Sequence, residues 1–455
     1  MTYVSPLERR EGERLLTGWG RTVPSSATVV SAGSTAEVQE AIADGTMRGV
    51  LARGLGRSYG DAAQSGGGTV LDLSSMSRIN LDEARGQVTT GAGASLDDLL
   101  RLIVPAGFFV PVTPGTRMVT VGGAIAADVH GKSHHVEGTF GSHVSTLTIV
   151  DGRGTVHALT PAGTPEEFWA TVGGMGLTGV ITEATFDLVP ITTALMTVDT
   201  ERCVDLDDLM ARLVEGDDRY RYSVAWIDSV SRAGRGVLAR GDHASVDQLP
   251  AAKSATALAY DPQIVATMPP FFPGVLVNKL TARAFNEAWY RKAPASRQGE
   301  LQSIGTFFHP LDGVREWNRV YGPGGFLQYQ FVVPDSGAHL VCRTLQRMRE
   351  VGAPSYVTVL KRFGAANPAP LSFPQPGWTL AVDVPACIPG LARAMDELDA
   401  QVLAEGGRLY LAKDSRMSPE MMAASYPRLS EWQAVRDRMD PNRTFTSDLA
   451  RRLHL

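Results

Sequence analysis

Pro114-Gly-Thr-Arg-Met-Val-Thr-Val-Gly-Gly-Ala-Ile-Ala-Ala-Asp-Val-His-Gly131 joins a glycine-rich run with spaced hydroxyls to the start of a histidine cluster. A second run of the same kind lies upstream, Arg53-Gly-Leu-Gly-Arg-Ser-Tyr-Gly-Asp61. Glycines 54, 56, 60, 115, 122 and 123 lack a Cβ, so backbone N–H groups can approach a bound oxyanion and successive amides can cradle a diphosphate. Tight turns between strands would explain either run alone. Two runs, with the hydroxyls of Ser58, Thr116 and Thr120 interposed, favour a nucleotide cofactor. A third segment, Gly173-Gly-Met-Gly-Leu-Thr-Gly179, contains G-x-G-x-x-G, but it follows a helix end (EEFWATV) rather than a buried strand, far into the chain. It therefore reads as another cofactor-contacting turn through Gly176 and Gly179, or as a plain helix cap, and not as a dinucleotide fingerprint.

Around these runs the texture of residues 27–190 is α+β. Short apolar stretches (ATVVSA, VLARGLG, TVLDLS, VSTLTIVDGRG) alternate with helical ones. SLDDLLRLI predicts a helix with Ser95 as N-cap, acidic first turn and leucines on one face, closed by Gly107. Residues 193–407 carry longer, more aromatic alternating segments (YRYSVAWIDSV, GFLQYQFVVP, SYVTVLKRFG, WTLAVDVPA), which predict a second domain on an antiparallel sheet. The last 48 residues, 408–455, return to helix and loop. There is no internal repeat and no low-complexity tract.

Composition narrows the function classes. Lys and Arg number 43 against 48 Asp and Glu, a formal net charge of -5, so the chain lacks the basic field that non-specific nucleic-acid binding needs. The three cysteines, Cys203, Cys342 and Cys387, form no C-x-x-C pair, so neither a disulfide framework nor a thiolate zinc site is expected. The charged N-terminus lacks a secretory apolar core and no apolar run reaches about 18 residues. The expected location is cytoplasmic, with membrane association or a periplasmic face left open.

Four of the nine histidines, 130, 134, 135 and 143, fall in fourteen residues. A metal site would need further partners that the sequence lacks, so no metal is expected. Structural histidines are a second reading. The third, adopted here, is a polar active-site segment beside a cofactor. Gln328-Tyr-Gln330 places two amides on one side of a strand, suited to sugar hydroxyls, with Tyr329 on the other. Lys361, Phe363, Tyr410 and Lys413 add charge and aromatic surface, and paired lysines favour an anionic group such as a phosphate.

The strings RGLGRSYGD, PGTRMVTVGGAIAADVHGKSHH, WATVGGMGLTG, GFLQYQF, APLSFPQPGW, GGRLYLAKDSR and FTSDLARRL together resemble the vanillyl-alcohol-oxidase type of FAD-binding oxidoreductase, over essentially the whole chain. Within that family the likeness is to members acting on a polyprenylphosphoryl ribose in cell-wall arabinan synthesis. The resemblance implies a two-domain FAD-binding fold, with residues 1–192 and 408–455 forming the FAD domain around an inserted substrate domain, 193–407. It implies oxidation of the ribosyl 2'-hydroxyl to a ketone, oxygen or a quinone as electron acceptor, and a separate NADH-dependent reductase completing the epimerisation.

The implied catalytic pair is His130 and Lys413. Cofactor contacts are expected from Arg53, Gly54, Leu55, Gly56, Arg57, Ser58, Tyr59 and Gly60. Further ones are Pro114, Gly115, Thr116, Thr120, Val121, Gly122, Gly123, Ala126, His130, Gly131, Gly176, Gly179 and Tyr410. The substrate site would be lined by Tyr59, Lys132, Trp226, Phe308, Gln328, Gln330, Lys361, Phe363, Thr379, Ala381 and Lys413. Arg57 stands where related oxidases carry a flavin-linking histidine and cannot form that bond, so the FAD is expected to be non-covalent.

Several positions depart from the family pattern: Ala381 replaces a cysteine, Thr379 an asparagine, Phe308 a tyrosine and Val224 a serine. An oxidase of a soluble sugar, alditol or aldonolactone is therefore the alternative within the class, and a flavin-binding scaffold or electron carrier the alternative outside it. Residues 262–278 are apolar and proline-broken, readable as a surface loop guiding a polyprenyl tail or touching a bilayer, or as a loop buried on the substrate domain.

Overall fold

A computed structural model describes residues 2–3, 12–45 and 47–455. Short β-rich runs near the N-terminus make a four-stranded sheet in the order Gly12–Leu16, Ser25–Ser31, Thr69–Asp72, Val50–Arg53. The last three strands run parallel. Parallel neighbours need a crossover, and the helix Thr35–Ala43 supplies it, its first turn capped by the Ser34 hydroxyl accepting from the Glu37 amide. A second, antiparallel sheet orders six strands as Thr2–Tyr3, Ile79–Asp82, Gln87–Gly91, Val180–Asp187, Val144–Val150, Val156–Leu159. The helix Leu96–Ile103 has the predicted Ser95 cap and buries Leu96, Leu99, Leu100 and Ile103. It stops short of Gly107, because the amides of Ala106 and Gly107 turn back to the carbonyls of Ile103 and Val104, and Gly107, at φ +85°, closes that tighter turn.

The segments of 193–407 supply seven strands of an eight-stranded antiparallel sheet, and Arg408–Leu409, just past the expected boundary, supplies the eighth. Its order is Ser296–Ser303, Leu195–Cys203, Gly236–His243, Tyr222–Ile227, Thr358–Phe363, Gly377–Pro385, Phe326–Val333, Arg408–Leu409. Helix Leu391–Ala404 covers one face with Leu391, Met395, Leu398 and Val402, each worth about 2 kcal/mol when buried. On that face Tyr329 donates its hydroxyl to Asp399 (2.9 Å). Period-2 alternation turns Gln328 and Gln330 to the opposite face, which looks onto the glycine-rich runs.

Helix Asp448–Leu453 brings the C-terminus back to the first glycine run. Arg452 pairs with Asp61 (2.8 Å) and Asp414 (2.9 Å), and the Asp448 carboxylate accepts from the Gly66 amide (2.9 Å). Residues 262–278 follow the surface-loop reading and not the buried one: Val265 is 79% and Phe271 91% exposed. Among the described residues, no helix is long and apolar enough to cross a membrane.

Candidate active site

The three glycine-rich segments, distant in sequence, meet in space. Arg57 Nε donates to the Met118 carbonyl (3.0 Å), Gly54 lies against Thr120, and the amides of Gly173 and Met175 bond to the carbonyls of Ile125 and Ala126. Where they meet, the amides of Leu55, Gly56, Arg57 and Ser58, and those of Gly115 and Thr116, donate to no protein acceptor among the described residues. Free, clustered, partly exposed main-chain donors suit a diphosphate. Gly115 and Gly176 open into free space on their Cβ side, with Gly176 at φ +76°. The residues present therefore fit a dinucleotide such as FAD.

Several of the expected cofactor contacts have a different reason for their identity. A Cβ at Gly54 would meet the Thr120 hydroxyl at 2.2 Å, one at Gly60 the Asp414 carbonyl oxygen at 1.9 Å, and one at Gly131 the Thr113 carbonyl at 2.4 Å. Gly122 abuts Ala92, Gly123 abuts Thr120, and Gly179 abuts Ile149. These glycines let protein pack on protein. The Thr116 hydroxyl donates to Asp312 (2.6 Å), and that of Thr120 caps the short helix Val121–Ala126 by accepting from Gly123. The Arg53 guanidinium holds the carbonyls of Ala63 and Thr17, and the Ser58 carbonyl accepts from the Trp19 amide. Arg57 lies over the Trp19 ring at 3.9 Å. Val121 is buried, while Pro114 and Ala126 are partly so.

His130 follows from a local device in the same segment. Asp128, at φ +40° and fully buried, accepts from the Gly141 amide (3.1 Å), the Asn367 amide (2.7 Å) and the Ser372 hydroxyl (2.5 Å), which holds the backbone two residues before the imidazole. The His130 ring sits among Phe363 (4.8 Å), Tyr410 (5.1 Å) and Phe373 (5.5 Å). Gln330 Nε2 donates to His130 Nε2 (3.0 Å) and also reaches the Thr379 hydroxyl (3.2 Å). The proton then resides on His130 Nδ1, buried and without a partner among the described residues. Burial, reinforced by Lys361, His134 and Lys413, pushes the imidazole well below its ordinary range, so His130 is neutral. Tyr410, stacked on Phe373, donates to the Ala127 carbonyl (2.9 Å).

Three lysines surround this core. Lys132 donates to the Phe307 carbonyl and lies over the Phe307 ring (4.4 Å); burial and Lys361 push it down to about 7. Among the described residues the Lys361 ammonium has no hydrogen bond or ion pair, and burial pushes it down to about 8. Lys413 Nζ stands 3.6 Å from the Tyr59 ring centroid and is likewise lowered by burial. The sheet aligns their partners. Gln328 is opposite Asp383, Gln330 opposite Ala381, and Lys361 opposite Thr379, so these side chains share one face. Gln328 Nε2 donates to Asp383 and to the Tyr59 hydroxyl (3.3 Å).

Asp383 is a member of this site that sequence reasoning missed. It is fully buried, its Oδ2 lacks a partner among the described residues, and burial raises its carboxyl while the Gln328 hydrogen bond and Lys413 oppose that shift. A carboxylate inside the apolar run WTLAVDVP was its only signal. One expected residue sits apart from the free surface: Phe308 is 2% exposed, packed on Phe109 and Tyr222 in the core. Trp226, half-buried, shares by register the face of Ala381 and Lys361, and donates its indole N–H to the Tyr356 carbonyl (2.9 Å).

Sheet, amide cradle and neutral histidine together define an FAD-dependent oxidoreductase with the vanillyl-alcohol-oxidase type of fold. Residues 26–160 match the model of an FAD binding domain, and residues 385–453 that of D-arabinono-1,4-lactone oxidase. The chain is 46% identical over 449 residues to a decaprenylphosphoryl-β-D-ribose oxidase of Mycolicibacterium smegmatis, covering 97% of each chain. It is 24% identical over 453 residues to an alditol oxidase of Streptomyces sp., covering 96% of this chain and 98% of that one. The structure of 6-hydroxy-D-nicotine oxidase from Arthrobacter nicotinovorans superposes with a TM-score of 0.63 at 19% identity, covering 92% and 90% of the chains, a likeness of fold. The chain belongs to the decaprenylphosphoryl-β-D-ribose oxidase family.

Proposed function

We propose that the protein oxidises the 2'-hydroxyl of a polyprenylphosphoryl-β-D-ribose to the 2'-ketone, with residues 1–192 and 408–455 holding FAD and 193–407 the substrate. The observation that carries this reading is the Gln330–His130 contact, which joins the amide-bearing sheet face to the histidine segment beside the cradle. Bound FAD supplies the two-electron acceptor for the C2' hydride. Gln328 and Gln330 orient the sugar hydroxyls, and Lys361 with Lys132 faces the phosphate. The His130 Nδ1–H is a preorganised donor toward the reacting oxygen, and the Lys413 amine, lowered by burial, accepts the hydroxyl proton. Oxygen or a quinone reoxidises the enzyme, and a separate NADH-dependent reductase consumes the ketone.

Mixing the holoenzyme anaerobically with polyprenylphosphoryl-β-D-ribose should bleach the oxidised flavin band near about 450 nm. Absence of bleaching with FAD bound overturns the reading. Oxidation of a soluble alditol or aldonolactone is the second reading, favoured by the match over 385–453 and by Ala381 and Thr379 on the substrate face.

A further inference from the structure

Helix Lys279–Lys292 is amphipathic in an unusual sense, with its apolar side turned outward. Its inner side is anchored by Ala282 and by Asn286, whose amide donates to Asp228 (3.0 Å) and to the Ser355 carbonyl (3.2 Å). Leu280, Ala284, Phe285, Ala288 and Trp289 recur at helical spacing on the solvent side. Leu280 is 77% exposed. Phe285 and Trp289 stack at 6.1 Å, and Phe271 and Leu276 project from the segment leading into the helix. Among the described residues, every strongly exposed phenylalanine or tryptophan lies in this patch.

Solvated helices carry polar residues outward, so a contiguous apolar face marks a docking surface. Its charge selects the partner. The helix carries Lys279, Arg283, Arg291 and Lys292 against a single acid, Glu287, which is already held by Arg235 and Arg291. A cationic helix with outward Leu, Phe and Trp suits the boundary between headgroups and acyl chains of an anionic bilayer.

The patch also connects to the active site. Phe285 packs edge-on against Tyr356 (5.2 Å), whose hydroxyl meets Thr281 (2.8 Å) and whose carbonyl accepts from Trp226. Tyr356 belongs with Val277, Tyr321, Phe326 and Tyr59 to one apolar cluster, and Tyr59 lies beneath Lys413. An aromatic wall thus runs from the exposed helix to the reaction centre.

We propose that helix Lys279–Lys292, with the loop carrying Phe271, docks the enzyme on an anionic lipid bilayer, and that the aromatic wall receives the lipid-borne substrate from it. The second half of this statement rests on the polyprenyl-phosphate reading above. The test is co-sedimentation of holoenzyme with vesicles of phosphatidylcholine containing about 30 mol% phosphatidylglycerol, against pure phosphatidylcholine. Wild type should partition onto the anionic vesicles, and Leu280→Glu/Trp289→Glu should lose about tenfold or more of that partition. The same variant should keep its FAD content and its turnover of a short-chain, water-soluble phosphoryl ribose. Leu280→Ala/Trp289→Ala, with no added charge, should lose partition to a smaller extent. Equal partition of wild type and both variants overturns the proposal, as does failure of wild type to bind anionic vesicles. A wild-type dimer that the variants dissociate, without vesicle binding, overturns it in favour of a second copy of the chain. Vesicle binding without oxidation of the short-chain substrate would defeat the substrate reading and leave the docking surface standing.

Discussion

Substrate affinity should fall as pH rises, and the size of the effect follows from two lysines. Among the described residues Lys361 has no paired counter-charge, and burial lowers its ammonium to about 8 and, with Lys361 beside it, that of Lys132 to about 7. Both are lowered from the ordinary lysine value, so the cationic forms that attract a phosphodiester are present at low pH and lost as pH climbs through these values. Between pH 7 and pH 9 the protonated fraction of Lys361 falls about tenfold and that of Lys132 about fiftyfold. A phosphodiester keeps its single charge across that range, so KM for a polyprenylphosphoryl ribose should rise by up to about tenfold through Lys361 alone, with a further rise through Lys132. A bound phosphate stabilises both ammonium groups and moves the loss to higher pH without changing its sign. The assay is anaerobic flavin reduction as a function of substrate concentration at several pH values, with an uncharged ribofuranoside as control. Lys361→Met should weaken binding of the phosphodiester at pH 7 and flatten its pH dependence, leaving the uncharged control unchanged. A flat KM for wild type between pH 7 and 9, or equal losses for charged and uncharged substrates in Lys361→Met, would refute the assignment of these lysines to the phosphate.

His130→Ala should keep its FAD and lower the rate of flavin reduction by about 10²–10³-fold, read by stopped flow; an unchanged rate would remove His130 from the chemistry. Asp128→Ala strips the acceptor from Gly141, Asn367 and Ser372 and should cost about 3 kcal/mol in urea unfolding. Gly60→Ala places a methyl 1.9 Å from the Asp414 carbonyl oxygen, which must displace backbone, and should lower both the unfolding midpoint and FAD retention. Acid precipitation should leave all the FAD in the supernatant, since Arg57 cannot form a histidyl-type bond to the flavin; yellow colour in the washed pellet would contradict this.

Much of the fold was legible because its signals are local. The Ser95 cap with leucines at helical spacing, and the alternation of Gln328, Tyr329 and Gln330, depend only on residues a few positions apart. Less legible was why particular glycines and threonines are present. Gly54 and Gly60 read as an anion cradle, yet their missing Cβ atoms accommodate Thr120 and the Asp414 carbonyl, partners 66 and 354 positions away. Thr116 and Thr120 read as cofactor hydroxyls and are engaged by Asp312 and by a helix N-terminus. A residue type at a given spacing states what chemistry is possible there; which partner takes it is settled by chain crossings that no local pattern records.

By itself the sequence determined a nucleotide cofactor and many of the secondary elements, because glycine conformational freedom, helix caps and period-2 alternation are properties of short stretches; the FAD-dependent class came from the resemblance of its motifs to a known family. It also determined that Arg57 cannot carry a covalent flavin, since that follows from the chemistry of one side chain. Tertiary structure alone decided that His130 is neutral, because its desolvation comes from Phe363, Phe373 and Tyr410 on other elements. It alone placed Asp383 beside Gln328 through strand register, and turned Leu280, Phe285 and Trp289 outward by burying the opposite side of their helix. Burial and register are sums over distant contacts, and a pKa or an exposed face is fixed only when those contacts exist.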